Sequence, residues 1–169
     1  VRAYWNGEHF ISRQGNIFQA PEWFINPLPE TALDGELWLG RGMFDKLSGI
    51  VRQQSPDESS WQGVKYMVFD LPDNPLVFDE RLKELKKLIS NIKAPHIRLV
   101  KQFKVATHQL LQQKLSSIVE ENGEGLMLHL GSSFYKNGRY DDLLKLKQYA
   151  DAEAIVIKHL PGKGKYQGM

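Results

Sequence analysis

Short runs in which apolar residues alternate with polar ones, or stand together, divide the chain into predicted β-strands. These runs cover residues 3–5, 9–11, 17–18, 33–39, 64–70, 96–105, 126–130, 143–147 and 154–160. The first two runs are joined through Asn6-Gly7, a dipeptide that favours a hairpin because both residues accept positive φ. Within 64–70 the alternation places Tyr66 and Val68 on one face, and Met67 and Phe69 on the other.

Apolar residues that recur every three or four positions predict helices between these strands. The predicted helices cover residues 21–28, 44–51, 78–92 and 107–121. Thr107 is a suitable N-cap for the last one, and Asn122-Gly123 is a suitable C-terminal stop. The strands have an antiparallel character, and helices are interspersed among them. The pattern therefore predicts an α+β fold.

Composition narrows the class of protein without identifying it. With 169 residues, 41% of them apolar, the chain suits one compact domain. It contains no cysteine, which excludes disulfides and cysteine-ligated zinc but does not choose between the cytoplasm and the periplasm of a bacterium. No apolar run reaches the roughly 18 residues that a membrane span requires.

The net charge is only +2, but basic residues are concentrated in two places. The clusters comprise Lys83, Lys86, Lys87, Lys93, Arg98, Lys101 and Lys104, and near the C-terminus Lys158, Lys163 and Lys165. Such clusters can follow a phosphate backbone even when acidic residues elsewhere cancel the total. They are equally typical of a solvated helix face, so both interpretations stand.

Two carboxylates stand beside glycine at the mouths of apolar strands. Glu36 follows Asp34-Gly35, which is a good turn dipeptide, and Glu124 precedes Gly125 and the apolar run 126–130. If both carboxylates point into one cleft, they form an oxygen-rich site that suits a sugar hydroxyl or Mg²⁺. The plainer alternative is an acidic hairpin turn at Asp34 to Glu36 and an ordinary helix-to-strand turn at Glu124.

Other side chains suggest phosphate and base recognition. Lys145 and Lys147 lie two residues apart and face the same way on a strand, where a triphosphate would relieve their repulsion. Phe69 at a strand end suits stacking on a base, although most such residues are core. Arg2 and Arg13 flank the first hairpin and either hold phosphates or are plain surface residues.

Several common site types are not indicated. The five histidines have no metal-ligand spacing. The chain has neither a Gly-x-x-x-x-Gly-Lys-Ser/Thr phosphate loop nor a Gly-x-Ser-x-Gly elbow. A P-loop nucleotide hydrolase and a serine hydrolase of that type are therefore not expected.

In their order and spacing, four segments resemble the motifs of ATP-dependent DNA ligases, particularly the compact bacterial enzymes. Leu33-Asp34-Gly35-Glu36-Leu37-Trp38 resembles the third motif, and Tyr66-Met67-Val68-Phe69-Asp70 the aromatic motif that follows it. Glu124-Gly125-Leu126-Met127-Leu128 resembles the fourth motif. Leu144-Lys145-Leu146-Lys147, followed by Asp151-Ala152-Glu153-Ala154, resembles the fifth. The resemblance implies an ATP-grasp-like nucleotidyltransferase domain of antiparallel sheets flanked by helices.

The resemblance also implies roles for matching residues. Glu36 would bind the ribose of AMP, and Phe69 would stack on adenine. Glu124 would assist Mg²⁺ and phosphate, while Lys145 and Lys147 would hold the α-phosphate region. Val1-Arg2 resembles the end of the family's Lys-x-Asp-Gly-x-Arg motif, so Arg2 would be its nucleotide-binding arginine. Arg13 would meet the 5′-phosphate of the nick.

The chain departs from the family pattern at two points. The nucleophilic lysine of the first motif would lie five positions before Arg2, outside these residues, so the chain alone is not expected to form an enzyme-adenylate. His129 stands where many relatives have Arg or Lys. Residues 162–166 resemble the entry to the family's OB-fold domain. The expected organisation is a nucleotidyltransferase domain over 1–160 and a linker over 161–169.

The implied parent protein is a monomeric DNA ligase that acts away from membranes, uses ATP and Mg²⁺, and seals nicks in duplex DNA with the help of an OB-fold domain. An RNA ligase or an mRNA capping nucleotidyltransferase shares this architecture and is the nearest alternative. A non-catalytic nucleic-acid-binding module, with residues 83–104 as its contact surface, is the alternative from another class, and a purely structural domain is the third.

Overall fold

The computed structural model describes residues 1–148, 155, 157–158 and 160–161. Within this part of the chain the strands are β1 (Arg2–Trp5), β2 (Phe10–Ser12), β3 (Ile17–Phe18), β4 (Leu33–Trp38), β5 (Lys65–Asp70), β6 (Ile97–Leu99), β7 (Leu126–His129) and β8 (Leu143–Leu146). The helices are α1 (Glu22–Ile25), α2 (Phe44–Val51), α3 (Glu58–Trp61), α4 (Phe78–Asn91) and α5 (His108–Glu120).

The strands form two sheets, and together with the helices they confirm the α+β fold class. The larger sheet has the order β3-β2-β1-β4-β5-β6, and the smaller one pairs β7 with β8. Neighbouring strands are antiparallel except β5 and β6, which run parallel. The parallel pair was not predicted. It arises because α4 returns the chain to the same end of the sheet between these two strands.

The first hairpin forms as predicted, with Trp5 opposite Phe10 at its end. Its connecting loop is longer than a two-residue turn. The side-chain oxygen of Asn6 accepts hydrogen bonds from the backbone N–H groups of Glu8 and His9, and Gly7 has a φ of +98°. Asn6 therefore closes the loop through its side-chain oxygen, and Gly7 closes it through its positive φ, as is usual for these residues in turns.

The turn interpretation of Asp34-Gly35 is wrong, because both residues lie inside β4, between β1 and β5. Gly35 is required by packing. A Cβ atom there would lie 2.6 Å from the Tyr66 ring and 2.7 Å from the Met67 carbonyl oxygen. The glycine lets the Tyr66 ring cross β4, where the hydroxyl oxygen lies 3.0 Å from the carbonyl oxygens of Ala3 and Leu33.

The core covers one face of the larger sheet. Alternate residues of β1, β4 and β5 are buried on that face. An aromatic cluster fills its centre, with ring centroids 4.7 Å apart for Phe10 and Tyr66 and 4.8 Å apart for Phe24 and Trp61. Because the helices supply their apolar sides to this face, the polar residues of the same strands are left on the opposite face.

The longer helices agree with the predicted bounds. The helix expected over 78–92 is α4, and the helix expected over 107–121 is α5. The Thr107 side chain caps α5 by accepting a hydrogen bond from the Leu110 N–H at 3.2 Å. Asn122, which follows the helix, has a φ of +61°. Local sequence signals were sufficient for these two elements.

Shorter elements differ from the predictions. The strand predicted over 96–105 forms only at Ile97–Leu99, since it is an edge strand with β5 as its one partner. The helix predicted over 21–28 is limited to Glu22–Ile25. Helix α3 was not predicted, and it depends on the Asp57 side chain, which accepts a hydrogen bond from the Ser60 N–H at 3.0 Å.

The predicted strand over 154–160 and the predicted linker over 161–169 lie mostly outside the described residues, as do residues 151–154 of the fifth motif. Of the helices in the described ranges, none is long and apolar enough to cross a membrane.

Candidate functional site

The face of the larger sheet that is turned away from the core carries polar and partly exposed side chains. Arg2 on β1 lies opposite Glu36 on β4, and Glu36 lies opposite Met67 on β5. Directly opposite residues of an antiparallel pair point to the same face. Arg2, Glu36 and Met67 therefore line one surface, with Asp34 and Trp38 on the same side of β4.

A β-bulge determines how Phe69 is presented. The pairing of β4 with β5 places Val68 opposite Gly35 and Asp70 opposite Asp34, so Phe69 has no partner residue on β4. Bulges of this kind re-aim a side chain and are frequent beside functional sites. The Phe69 ring is partly exposed, and the Arg2 guanidinium carbon lies 5.8 Å from its centroid.

Asp34 is the buried anchor of this surface. Only 1% of the residue is exposed. Its Oδ1 accepts a hydrogen bond from Arg2 Nε at 3.2 Å, and its Oδ2 accepts from Arg2 Nη2 at 2.5 Å and from the Tyr135 hydroxyl at 2.8 Å. The hydrogen bond to Asp34 raises the pKa of Arg2. Burial, followed by the charge of Asp34, raises the pKa of Tyr135 well above its usual value.

The smaller sheet brings together three of the predicted site residues. Lys145 Nζ lies 3.0 Å from Glu124 Oε2, and Lys147 Nζ lies 3.6 Å from the same oxygen. Gly125 allows this approach, because a Cβ there would lie 2.2 Å from the carbonyl oxygen of Leu146, and because its φ of +142° disfavours other residues. We call Glu124, Lys145 and Lys147 the lysine–glutamate cluster.

Electrostatics connect the cluster to the larger sheet. The hydrogen bond from Lys145 is the main cause that lowers the pKa of Glu124. The same hydrogen bond is the main cause that raises the pKa of Lys145, and the charge of Glu36 adds a smaller upward contribution. Glu36 is therefore close enough to Lys145 for its charge to act on the ammonium group. We call the space bordered by Arg2, Glu36, Phe69 and the lysine–glutamate cluster the cleft. All three cluster residues are exposed, so solvent and salt screen these interactions.

Helix α4 fixes the segment that follows the smaller sheet's first strand. The Phe78 and His129 rings stack with centroids 3.6 Å apart, and the Phe78 N–H donates to the Ser133 carbonyl at 2.8 Å. Arg81, which is fully buried, pairs with Asp70 through contacts of 2.7 and 2.9 Å. It also donates to the carbonyl of Ser133 at 3.1 Å.

The structure thus brings together most of the site residues that the sequence singled out. Arg2, Glu36 and Phe69 line the larger sheet's side of the cleft, and the lysine–glutamate cluster lines the other. Arg13 is exposed beyond the end of β2, and no hydrogen bond or ion pair joins it to another described residue.

Sequence reasoning missed Asp34, Tyr135 and Arg81. Asp34 was detectable, because the alternation within 33–38 places it on the same face as Glu36. Tyr135 and Arg81 gave no local signal. Tyr135 is 101 positions from Asp34, and the Ser133 carbonyl that Arg81 contacts is 52 positions away.

The donor set suits a magnesium ion that is completed by substrate. Among the described residues, no group of three or more His, Cys, Asp or Glu side chains is placed to enclose a metal. Mg²⁺ is commonly held by one or two carboxylates together with substrate phosphates, and does not need an all-protein cage. Glu124 is exposed beside two lysines that attract such phosphates, so the residues present fit this mode of binding.

Comparison with known proteins gave consistent matches. A family model described as "ATP dependent DNA ligase domain" matches residues 6–147. A DNA ligase of Haemophilus influenzae is 34% identical over 169 residues, which are 100% of this chain and 62% of that protein.

Solved structures match as well. One from a structure–function study of Lig E DNA ligases is 40% identical, with a TM-score of 0.87 over 99% of this chain and 66% of its own. The Chlorella virus DNA ligase-adenylate is 20% identical, with a TM-score of 0.74 over 90% of this chain and 60% of its own, and this likeness shows the fold alone. The chain thus spans about 60 to 66% of the length of these three relatives, and the two structures confirm the fold class expected from the sequence.

Proposed function

The chain belongs to the ATP-dependent DNA ligase family, and we propose that it provides the nucleotide-binding part of an enzyme that seals nicks in duplex DNA. The observation that carries this proposal is the pairing of Lys145 and Lys147 with Glu124, within electrostatic range of Glu36, on whose sheet face Arg2 also lies beside the Phe69 ring. An aromatic ring, a carboxylate and two ammonium groups suit the base, the sugar and the phosphates of one nucleotide.

Each of these groups has a proposed contact with the nucleotide. The adenine ring stacks on Phe69, whose exposed face the bulge presents. Glu36 accepts a hydrogen bond from a ribose hydroxyl. Arg2 binds the nucleotide from its place beside Phe69.

Lys145 and Lys147 hold the oxygens of the α-phosphate, which replaces Glu124 as their anionic partner. Glu124, thus released, would hold a Mg²⁺ ion, which would supply positive charge to neutralise the phosphate oxygens.

The proposed reaction consists of three phosphoryl transfers. A lysine amine attacks the α-phosphorus of ATP and pyrophosphate leaves. The 5′-phosphate of the nick then attacks the lysine-bound AMP, and the lysine leaves. Finally the 3′-hydroxyl attacks the 5′-phosphorus of the adenylated DNA, and AMP leaves. In such transfers the protein acts mainly by positioning the groups and stabilising negative charge, which Lys145 and Lys147 are placed to do.

The remaining parts of the machinery are also proposals. By the family motif, the nucleophilic lysine precedes Arg2 by five positions and is not among these residues. Arg13, exposed beyond β2, contacts the 5′-phosphate of the nick. The parent protein acts as a monomer with an OB-fold domain that holds the duplex. The DNA ligase relatives favour this function over an RNA ligase, a capping enzyme or a non-catalytic binding module.

Self-adenylation tests the proposal. The parent protein, including the lysine-bearing segment, is incubated with α-labelled ATP and Mg²⁺ and then run on a denaturing gel. We expect retained label, and none when the lysine is replaced by alanine. The 169-residue chain alone is expected to remain unlabelled. A folded parent protein that takes up no label would refute the proposal, as would sealing of nicked RNA without sealing of nicked DNA.

A further inference from the structure

We propose that Tyr135 is a positioning residue for Arg2 and acts on it through Asp34. The inference rests on the proposed function, since it concerns how the arginine of the nucleotide cleft is oriented. Tyr135 lies in the segment after β7, whereas Asp34 lies in β4, so the hydrogen bond between them joins the two sides of the molecule.

The first step concerns the buried carboxylate. Asp34 accepts two hydrogen bonds from Arg2 and one from Tyr135, and two of these three end on the same oxygen, Oδ2. A carboxylate that is 1% exposed needs such partners, because water is not there to solvate it. The Tyr135 hydroxyl therefore fixes the position of Oδ2, the oxygen that accepts the hydrogen bond from Arg2 Nη2.

The second step concerns Arg2 itself. Its side chain remains 50% exposed, although Asp34 binds its Nε and Nη2 atoms. No hydrogen bond to a described residue occupies Nη1. Two hydrogen bonds to Asp34 hold one edge of the guanidinium, and the guanidinium carbon lies near the Phe69 ring. The orientation of Asp34 therefore sets the direction in which the remaining N–H groups of Arg2 point. A small rotation of the Asp34 carboxylate would move them away from a bound nucleotide.

The third step is the rigidity of Tyr135. The adjoining segment is bound to α4 by the hydrogen bonds of Phe78 and Arg81 to the Ser133 carbonyl. The Arg81 guanidinium carbon also lies 5.8 Å from the centroid of the Tyr135 ring. Because Arg81 is fully buried and paired with Asp70, it provides a fixed platform for that ring. The Tyr135 ring is thus held by contacts with α4 in addition to the hydrogen bond from its hydroxyl to Asp34.

The test is the substitution Tyr135→Phe in the parent protein, with ATP titrated in the self-adenylation assay. The variant keeps the ring over Arg81 and removes only the hydroxyl. We expect the half-saturating ATP concentration to rise about 10-fold while the maximal rate falls less than about 3-fold. A lower folding yield would reduce the amount of labelled protein without changing the half-saturating ATP concentration. Comparison of half-saturation with the maximal rate therefore distinguishes a positioning role from a loss of stability. Tyr140→Phe is the matched control and is expected to leave half-saturation unchanged.

A double substitution tests whether the effect passes through Arg2. In an Arg2→Lys background the bidentate contact with Asp34 is gone, so Tyr135→Phe is expected to add less than about a 2-fold further change. An unchanged half-saturating ATP concentration in Tyr135→Phe would overturn the positioning role. So would a double variant whose fold-change equals the product of the fold-changes of the two single variants. Wild-type protein that takes up no label would instead overturn the proposed function itself.

Discussion

Single residues in the cleft owe their orientation to small local irregularities. Phe69 is the unpaired residue of the bulge and is partly exposed, and Glu124 approaches Lys145 because Gly125 leaves room for the Leu146 carbonyl. On the core side of the sheet, Gly35 leaves room for the ring of Tyr66. Gly35 and Gly125 are each required for a steric reason, because a Cβ atom at either position would clash with the neighbouring strand.

The role of Phe69 predicts a specific loss on truncation. In Phe69→Ala we expect the half-saturating ATP concentration for self-adenylation of the parent protein to rise roughly 10- to 100-fold, because stacking of a base on an aromatic ring contributes about 1–3 kcal/mol. Phe69→Trp retains a stacking surface and is expected to stay within about 3-fold of wild type.

Phe44→Ala is the matched control for this prediction. Phe44 is also exposed, at 62%, but it lies at the start of α2, outside the cleft. Equal losses in Phe69→Ala and Phe44→Ala, or no loss in Phe69→Ala, would contradict the stacking role.

Elements of the second half of the chain depend on α4 for their placement. The stacked rings of Phe78 and His129 join the start of α4 to the end of β7. In addition, the Asp79 N–H donates to the Gly131 carbonyl at 2.9 Å. The His129 ring thus serves as a packing surface between these two elements.

This stack predicts a pH dependence of stability. Burial lowers the pKa of His129 from its usual value of 6.5. The opposing charges of Asp70 and Asp142 raise it, and Arg81 lowers it further. The unfolded chain therefore takes up a proton at a higher pH than the folded one. The stabilisation that neutral His129 provides to the folded state is fully present above pH 6.5. It is lost as the pH falls through the pKa of His129 in the folded state.

Denaturant unfolding at pH 7.5 and 5.5 measures this contribution. We expect wild-type protein to lose more unfolding free energy between these two pH values than His129→Phe, which keeps the stack but cannot titrate. His108→Phe is the control, because His108 is exposed on α5 and should lose as much as wild type. A His129→Phe variant with the same pH dependence as wild type would disprove the assignment.

In the molecule as a whole, two groups of long-range contacts join elements that border the cleft. Asp34, Tyr135 and Arg81 form the first group. In the second, the guanidinium of Arg41, in the loop after β4, donates to the backbone carbonyls of Ile118 and Glu121 at the C-terminus of α5. It also lies 3.2 Å from the Glu121 carboxylate. Glu124 of the lysine–glutamate cluster follows this helix end by three residues.

Removal of the Arg41 side chain should loosen the smaller sheet selectively. In Arg41→Ala we expect backbone amide hydrogen exchange in β7 to accelerate about 10-fold, while exchange in β1 and β4 stays unchanged, because two carbonyls lose a charged donor. Arg52→Ala is the control, since Arg52 is exposed at the end of α2. Uniform acceleration in both sheets would show that Arg41 stabilises the fold as a whole.

Contiguous stretches of sequence were sufficient to predict the local elements and to indicate most of the residues that border the cleft. Helix spacing, the Thr107 cap and the Asn6-Gly7 loop are decided within a few residues, so α4, α5 and the first hairpin were predictable. The ordered motifs indicated Glu36, Phe69, Glu124, Lys145 and Lys147, because each motif is contiguous along the chain.

The partners of these residues depend on the packing of distant elements. Asp34-Gly35 has the local features of a turn, yet burial between β1 and β5 makes Asp34 the anchor of Arg2. Tyr135 and Arg81 acquire their roles from contacts across 101 and 52 positions of the chain. A buried charge is stable only with partners that satisfy it, and which distant residues arrive to do so is fixed by the packing of the two sheets.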